Sequence, residues 1–311
     1  MGRPARPTAD RAHGRGHPAG AALGDRPAGL SAGTILRLGR VSNLPTVWTN
    51  ALAGAVLAGG AAVAAGPVLA AAVILSLFYV GGMWLNDAFD AEIDAAERSA
   101  RPIPLGEIGR GTVFAVGGGL LALGVLAGFA SGPAAGTAAL ALAGAVLLYD
   151  WVHKRTVLSP VIMGTTRFLC YLFAALALGP LPWPVLVGAL GLFAYVVGLT
   201  YAAKQEAYDR LDRAWPLAVL ALPLVIAVIF ASGSGLGLVV CAGLAAVMAA
   251  ALRLLFRRAK GDVPKAVVTL IAGISLYDAA LVASAGLPVL ALLAVAAFGL
   301  TLLLQRVVPG T

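Results

Sequence analysis

Uncharged apolar stretches of about twenty residues, the length at which an α-helix crosses a hydrocarbon core, recur along this chain almost from end to end. Soluble domains carry roughly 25% charged residues; here 12% of 311 residues are charged and 60% are hydrophobic. A soluble fold, of one domain or two, is excluded. The chain reads as an all-α, polytopic transmembrane helical bundle of nine or ten spans. Splitting it at Pro/Gly turns and charged clusters gives ten candidate spans: 45–65, 67–87, 112–131, 134–150, 159–179, 183–203, 215–233, 235–255, 264–284 and 286–306.

The joins between these spans alternate in kind. Residues 88–111, 151–158, 204–214 and 256–263 are charged, whereas the joins near Gly66, Gly132, Gly179, Gly233 and Gly286 carry no charge. Of 22 Lys and Arg, all but Arg167 lie in the N-terminal tail, those four links with their flanks, or the C-terminus, and of 14 Asp and Glu only Asp278 lies elsewhere. Ten spans put every charged segment on one side, and the positive-inside rule makes that side cytoplasmic. In a soluble chain a net charge of +8 would suggest nucleic acid; here it marks orientation in the plasma membrane, and no nucleic-acid partner is expected.

Residues 1–31 read as a disordered basic cytoplasmic tail, rich in Arg, Pro, Gly and Ala without apolar period, ahead of a transmembrane domain over 32–311. The tail lacks the continuous apolar core of a secretory signal. Cys170 and Cys241 lie inside separate apolar spans, so neither a disulfide framework nor a zinc site is indicated. Short Gly/Pro turns pair the spans as hairpins, and the glycines at 117–119 permit close helix approach in lipid.

The second span runs straight into NDAFDAEID, residues 86–94. If the helix continues, Asp87, Asp90 and Asp94 share one face with Asn86 beside them. Like charges so arranged repel unless a cation sits between them, and hard carboxylate oxygens suit Mg2+, which keeps waters and takes substrate phosphates as further ligands. The competing reading is a solvated acidic loop. Arg98 and Arg101 follow closely, as a magnesium-diphosphate ligand would require.

NDAFDAEID with RPIPLG resembles the first signature of the UbiA superfamily of intramembrane prenyltransferases, Asn-Asp-x-x-Asp-x-x-x-Asp then Arg-Pro-x-Pro and Gly. Asn86, Asp87, Asp90, Asp94, Arg101, Pro102, Pro104 and Gly106 match it, and the spacing of spans and loops extends the resemblance over roughly residues 35–310. The resemblance implies that the aspartates bind Mg2+, that Mg2+ binds an isoprenyl diphosphate whose tail lies between helices, and that an acceptor attacks the allylic cation left when diphosphate departs.

Two more loops carry the resemblance. YDWVHKR, residues 149–155, is similar to the family's Tyr and Lys-Arg stretch with one residue more. Tyr149 and Lys154 become candidate diphosphate contacts; Arg155 divides between contact and membrane anchor, and His153 reads as an interfacial polar residue. TYAAKQEAYDRLDRAW stands where the family has a second motif, Asp-x-x-x-Asp, but Gln205 replaces one aspartate, and Asp209 and Asp212 are three apart. Glu206 and Asp209 are the candidate ligands of a second Mg2+, Asp209 joins Asp87, Asp90 and Asp94 as a catalytic candidate, and Lys204 is a candidate diphosphate contact offsetting the weakened motif.

Arg167 and Asp278 fall some 15–20 Å deep at about 1.5 Å per residue. Ionisable groups at such depth are paired or functional. A direct Arg167–Asp278 pair and a catalytic role, with Arg167 toward diphosphate, both stay open.

The expected function is Mg2+-dependent transfer of an isoprenyl group from a prenyl diphosphate to a small-molecule acceptor. Within the superfamily the alternative is the reversed arrangement, in which a lipid phosphate attacks a phosphoribosyl diphosphate. A small-molecule transporter fits ten small-residue-rich spans, but transporters hold substrate near the midplane, whereas these acids gather at one mouth. An inactive homologue is the remaining reading. Acceptor, prenyl length and oligomeric state are not written in apolar helices.

Overall fold

The computed structural model describes residues 2, 31–97, 100–204, 214–257 and 259–310. Among them there is no strand. Eleven α-helices follow in order: α1 Ala32–Leu38, α2 Leu44–Gly59, α3 Ala65–Glu97, α4 Arg110–Ala130, α5 Pro133–Val152, α6 Ser159–Leu176, α7 Trp183–Lys204, α8 Ala221–Ala231, α9 Gly235–Arg257, α10 Asp262–Ser284 and α11 Pro288–Leu304.

Seven of these, α3 to α7 with α9 and α10, are long and apolar enough to cross a membrane. The other three expected spans are shorter. α2 has 16 residues and starts with Pro45 in its first turn; its expected run to residue 65 is cut by Gly60, whose φ of 58° ends the α-helix. α8 has 11 residues behind a 3-10 segment, Trp215–Leu220, and α11 has 17. The outer surface is apolar: Leu69, Leu126, Val239 and Val289 are exposed, which suits lipid and would aggregate in water.

α10 lies at the centre, with 83% of its most apolar window buried against 28% for the peripheral α4. It packs on α2, α7, α8, α9 and α11. A second apolar cluster joins α2, α3, α5 and α6 around Val47, Leu75, Leu142 and Phe173, so α2 and α6 stand between the two.

Small residues set a close crossing of α3 and α4. A Cβ on Gly81 of α3 would lie 2.5 Å from Leu121 Cδ1 and 2.9 Å from the Gly117 carbonyl oxygen of α4. Of the three glycines at 117–119 only Gly117 serves this contact; Gly118 and Gly119 face open space.

The polar ends gather on one face. The Lys204 ammonium at the end of α7 reaches the α5–α6 link. Gln305, just past α11, donates to Asn43 at the entrance of α2 at 2.7 Å, and Asn43 donates to the Gly310 carbonyl at 3.0 Å. Since a short turn joins α10 to α11, α10 begins on that same face.

Candidate active site

α3 has 33 residues, about 50 Å at 1.5 Å per residue, against a hydrocarbon core of about 30 Å. It therefore continues unbroken through the aspartate signature. Asp87, Asp90 and Asp94 share one face and are buried there with Asn86, which a solvated loop would not do.

Cations surround this face from three directions. Arg40, between α1 and α2, sits in the left-handed region at φ 41°, ψ 47°, a conformation uncommon outside glycine and held only by its surroundings. Its Nη2 donates to Asp87 Oδ1 at 2.9 Å and to Asn86 Oδ1 at 3.3 Å. Burial alone would lower the guanidinium pKa; the Asp87 charge and hydrogen bond, together with Tyr79 and Tyr149, outweigh it and the pKa rises. Arg101, carried by the RPIPLG turn with Gly106 at φ 72°, lies 3.4 Å from Asp87 Oδ1. From the end of α5, Lys154 Nζ stands 3.1 Å from Asp90 Oδ2 and 3.7 Å from Asp94 Oδ1. His153 Nε2 is 3.2 Å from the same Asp90 oxygen, so the imidazole belongs to the site and not merely to the interface. Tyr149 stacks on the His153 ring at 4.9 Å.

Asp150 completes the arrangement. It is buried, and its Oδ1 accepts from Asn86 Nδ2 at 3.2 Å. Asp87 Oδ2 and Asp150 Oδ2 are buried without a hydrogen-bond partner, a costly condition for carboxylate oxygens. Among the described residues no three His, Cys, Asp or Glu side chains converge enough to enclose a metal by themselves. Magnesium ordinarily takes one or two carboxylates, waters and phosphate oxygens, so the unpartnered carboxylate oxygens fit it as part of a substrate complex.

Two cavities meet at Asp150. One, of about 520 Å³, is an apolar cleft between α2, α3, α5 and α6 lined by Val47, Leu75, Phe78, Leu142, Val146 and Cys170, with Tyr79, Tyr149, Asp150 and Arg167 on its polar side. The other, of about 310 Å³, is the mouth between Phe89, Asp90, Ile93, Asp150, Trp151, His153, Lys154 and Arg155. An elongated apolar chain with an anionic head matches that pair of environments.

Two further expected residues have definite partners. Lys204, expected to contact diphosphate, donates from Nζ to the Thr156 carbonyl at 2.9 Å and Ser159 Oγ at 2.8 Å, because the end of α7 packs beside the α5–α6 link. Arg167 and Asp278 form no direct pair. Arg167 Nη1 donates to Asn50 Oδ1 at 2.7 Å, Asn50 Nδ2 donates to Asp278 Oδ2 at 2.8 Å, and Tyr171 donates to Asp278 Oδ1 at 2.5 Å. The guanidinium also lies 5.7 Å from the Tyr79 ring centroid. Arg98, Gln205, Glu206, Asp209, Asp212 and Arg213 lie outside the described residues.

Sequence reasoning missed Arg40, Asn50 and Asp150 as site components. Arg40 counted as a tail charge, though it stands beside the entrance of the first span, the one signal available. Asp150 adjoins Tyr149, but the matched pattern did not include it.

The profile of the UbiA prenyltransferase family matches residues 47–267. Digeranylgeranylglyceryl phosphate synthase of Ignicoccus hospitalis is 41% identical over 114 residues, covering 37% of this chain and 36% of that protein. The synthase of the same name from Methanopyrus kandleri is 30% identical over 177 residues, 56% of this chain and 63% of that one. The chain thus spans less than two thirds of the length of these curated relatives. A solved structure reported for digeranylgeranylglyceryl phosphate synthase in membranes superposes with a TM-score of 0.60 at 20% identity, over 81% of this chain and 97% of that one. The apo structure of a UbiA homologue from Aeropyrum pernix gives 0.61 at 16% identity, over 78% and 96%. At those identities the structures establish a shared fold. With the family profile matched over most of its length, the chain belongs to the UbiA prenyltransferase family.

Proposed function

We propose that the protein transfers an isoprenyl group from a prenyl diphosphate to a hydroxyl of a phosphorylated lipid and releases diphosphate. The observation that carries this reading is the junction at Asp150 of an apolar cleft of about 520 Å³ with a mouth of carboxylates and cations. The lipid phosphate distinguished the alternative reading of the sequence from the general one, and it is the part supported by relatives named for a glyceryl phosphate product. Their names lend no support to a phosphoribosyl donor.

The residues divide the work by chemistry. Asp87, Asp90 and Asp94, with Asn86, would hold Mg2+, which when bound supplies Lewis-acid stabilisation of the leaving diphosphate. Arg40, Arg101 and Lys154 are the protein's own cations for phosphate oxygens. Val47, Leu75, Phe78 and Leu142 line the chain's channel and exclude water, so that an allylic cation reaches the acceptor before it is hydrolysed. Tyr79 presents a ring face that already attracts the Arg167 cation. In the net reaction the prenyl C–O bond to diphosphate breaks, a C–O bond to the acceptor forms, and the hydroxyl proton is released. Glu206 and Asp209 are proposed as ligands of a second Mg2+.

All ten apolar helices, α2 to α11, would cross the bilayer, with the charged links and the basic tail of residues 1–31 in the cytoplasm and the protein in the plasma membrane.

The test is diphosphate release by the purified full chain from a labelled prenyl diphosphate, with and without Mg2+. The reading expects Mg2+-dependent release that falls by about 10²-fold or more in Asp87→Ala and Asp90→Ala, the scale set by losing an electrostatic stabiliser. Release indifferent to Mg2+ or to both substitutions would sink it.

A further inference from the structure

We propose that Asp150 is a ligand of the divalent cation, outside either aspartate-rich motif, acting together with Asp87 across the Asn86 carboxamide. This rests on the functional reading above. Three observations carry it. Asp87 Oδ2 and Asp150 Oδ2 are both buried without a partner, on side chains only 3% and 4% exposed. Their second oxygens are engaged around one amide: Asn86 donates to Asp150 Oδ1 at 3.2 Å, and Arg40 Nη2 spans Asn86 Oδ1 at 3.3 Å and Asp87 Oδ1 at 2.9 Å. Asp150 also lines both the apolar cleft and the polar mouth, where a diphosphate head would supply the remaining oxygens.

Chemistry separates this pair from the rest of the acidic cluster. Asp90 and Asp94 face Lys154, Asp90 also faces His153, and Asp87 meets Arg40 and Arg101 through Oδ1 alone, leaving its Oδ2 buried and without a partner. The two unpartnered oxygens belong to Asp87 and Asp150 instead. Two carboxylates completed by phosphate and water are what magnesium ordinarily accepts, in preference to an all-protein cage. Asp150 projects from the helix facing α3, so a cation held by both would tie the ends of α3 and α5 together as the substrate complex forms.

The test measures metal binding and not turnover. Mn2+ is titrated by electron paramagnetic resonance into the purified full chain in detergent, with inorganic diphosphate present, for wild type, Asp150→Asn, Asp150→Ser and Asp87→Asn. Asp150→Asn keeps an acceptor for Asn86 and replaces the unpartnered oxygen by an NH2 group that cannot ligate a cation. The proposal expects the Mn2+ Kd to rise fivefold or more in both Asp150 variants, while the thermal midpoint without metal holds or rises in Asp150→Asn. A rise below fivefold in a folded Asp150 variant, with Asp87→Asn losing Mn2+, overturns the role of Asp150 and leaves the functional reading standing. No Mn2+ binding by the wild type overturns both.

Discussion

Arg167 and Asp278, the two charges deepest in the apolar spans, are joined through Asn50 without touching each other: the amide accepts from Arg167 at 2.7 Å and donates to Asp278 at 2.8 Å. The carboxylate side accepts only, so it turns the Asn50 NH2 toward Asp278 and the carbonyl oxygen toward Arg167. Asn50→Leu then strips both groups of a buried partner. We expect a loss of about 1–3 kcal/mol per orphaned group, read as a lower thermal midpoint in detergent. An unchanged midpoint in Asn50→Leu would instead mark direct contact between Arg167 and Asp278.

Lys204 is a tether. Removing its contacts to Thr156 and Ser159 in Lys204→Met should cost about 1.5–3 kcal/mol, the range for hydrogen bonds from a charged donor, with little change in KM for prenyl diphosphate. A raised KM at unchanged stability would return Lys204 to the diphosphate site.

Arg40→Lys keeps the charge but loses the planar guanidinium fork whose Nη2 reaches both Asn86 and Asp87. If that fork holds phosphate in the substrate complex, kcat/KM should fall about 10²-fold or more, on the scale of a lost electrostatic donor, and steady-state kinetics measure it directly. Activity within twofold of wild type would make Arg40 a structural partner of α3.

Helix approach gives a paired test. Gly81→Ala places a methyl 2.5 Å from Leu121 Cδ1 and 2.9 Å from backbone of α4, and overpacking of this kind costs about 1–3 kcal/mol. Gly118→Ala meets nothing within 4 Å and should be neutral. Comparable unfolding midpoints for the two variants would contradict the close crossing.

A pH dependence belongs to α1. Hydrogen bonds from Arg37 and Thr34 hold the Glu107 carboxyl below its ordinary range. With the folded pKa depressed, the stabilisation is complete above the free-glutamate value of about 4.3 and is lost as pH falls through the lower folded pKa. Hydrogen exchange in residues 32–38 should therefore quicken, relative to its intrinsic rate, from pH 6 to pH 3, and Glu107→Gln should abolish that pH dependence. Equal protection across the range would remove the tether.

The sequence carried the helices because their signal is long and continuous: 134–150 became α5 Pro133–Val152 and 235–255 became α9 Gly235–Arg257. It carried the α3 face because three aspartates repeat at helical spacing. Asn50 and Asp150 were silent for the opposite reason: Asn50 is the only amide of α2 and Asp150 the only charged residue of α5, with no periodicity, and only packing discloses that one bridges Arg167 to Asp278 and the other meets Asn86. The carbonyl partner of Lys204 was not legible because a lysine at a polar helix end looks the same in sequence whether it faces an anion or a carbonyl.

Transfer itself is the most direct test. Purified full chain is incubated in nanodiscs with Mg2+, a labelled prenyl diphosphate and a prenylglyceryl phosphate, and the products are separated and identified by mass. The account predicts label joined by an ether bond to the glyceryl phosphate lipid, with one diphosphate released per product and no product from Asp87→Ala. Label that stays on the diphosphate, or that leaves only as the free prenyl alcohol, would contradict it.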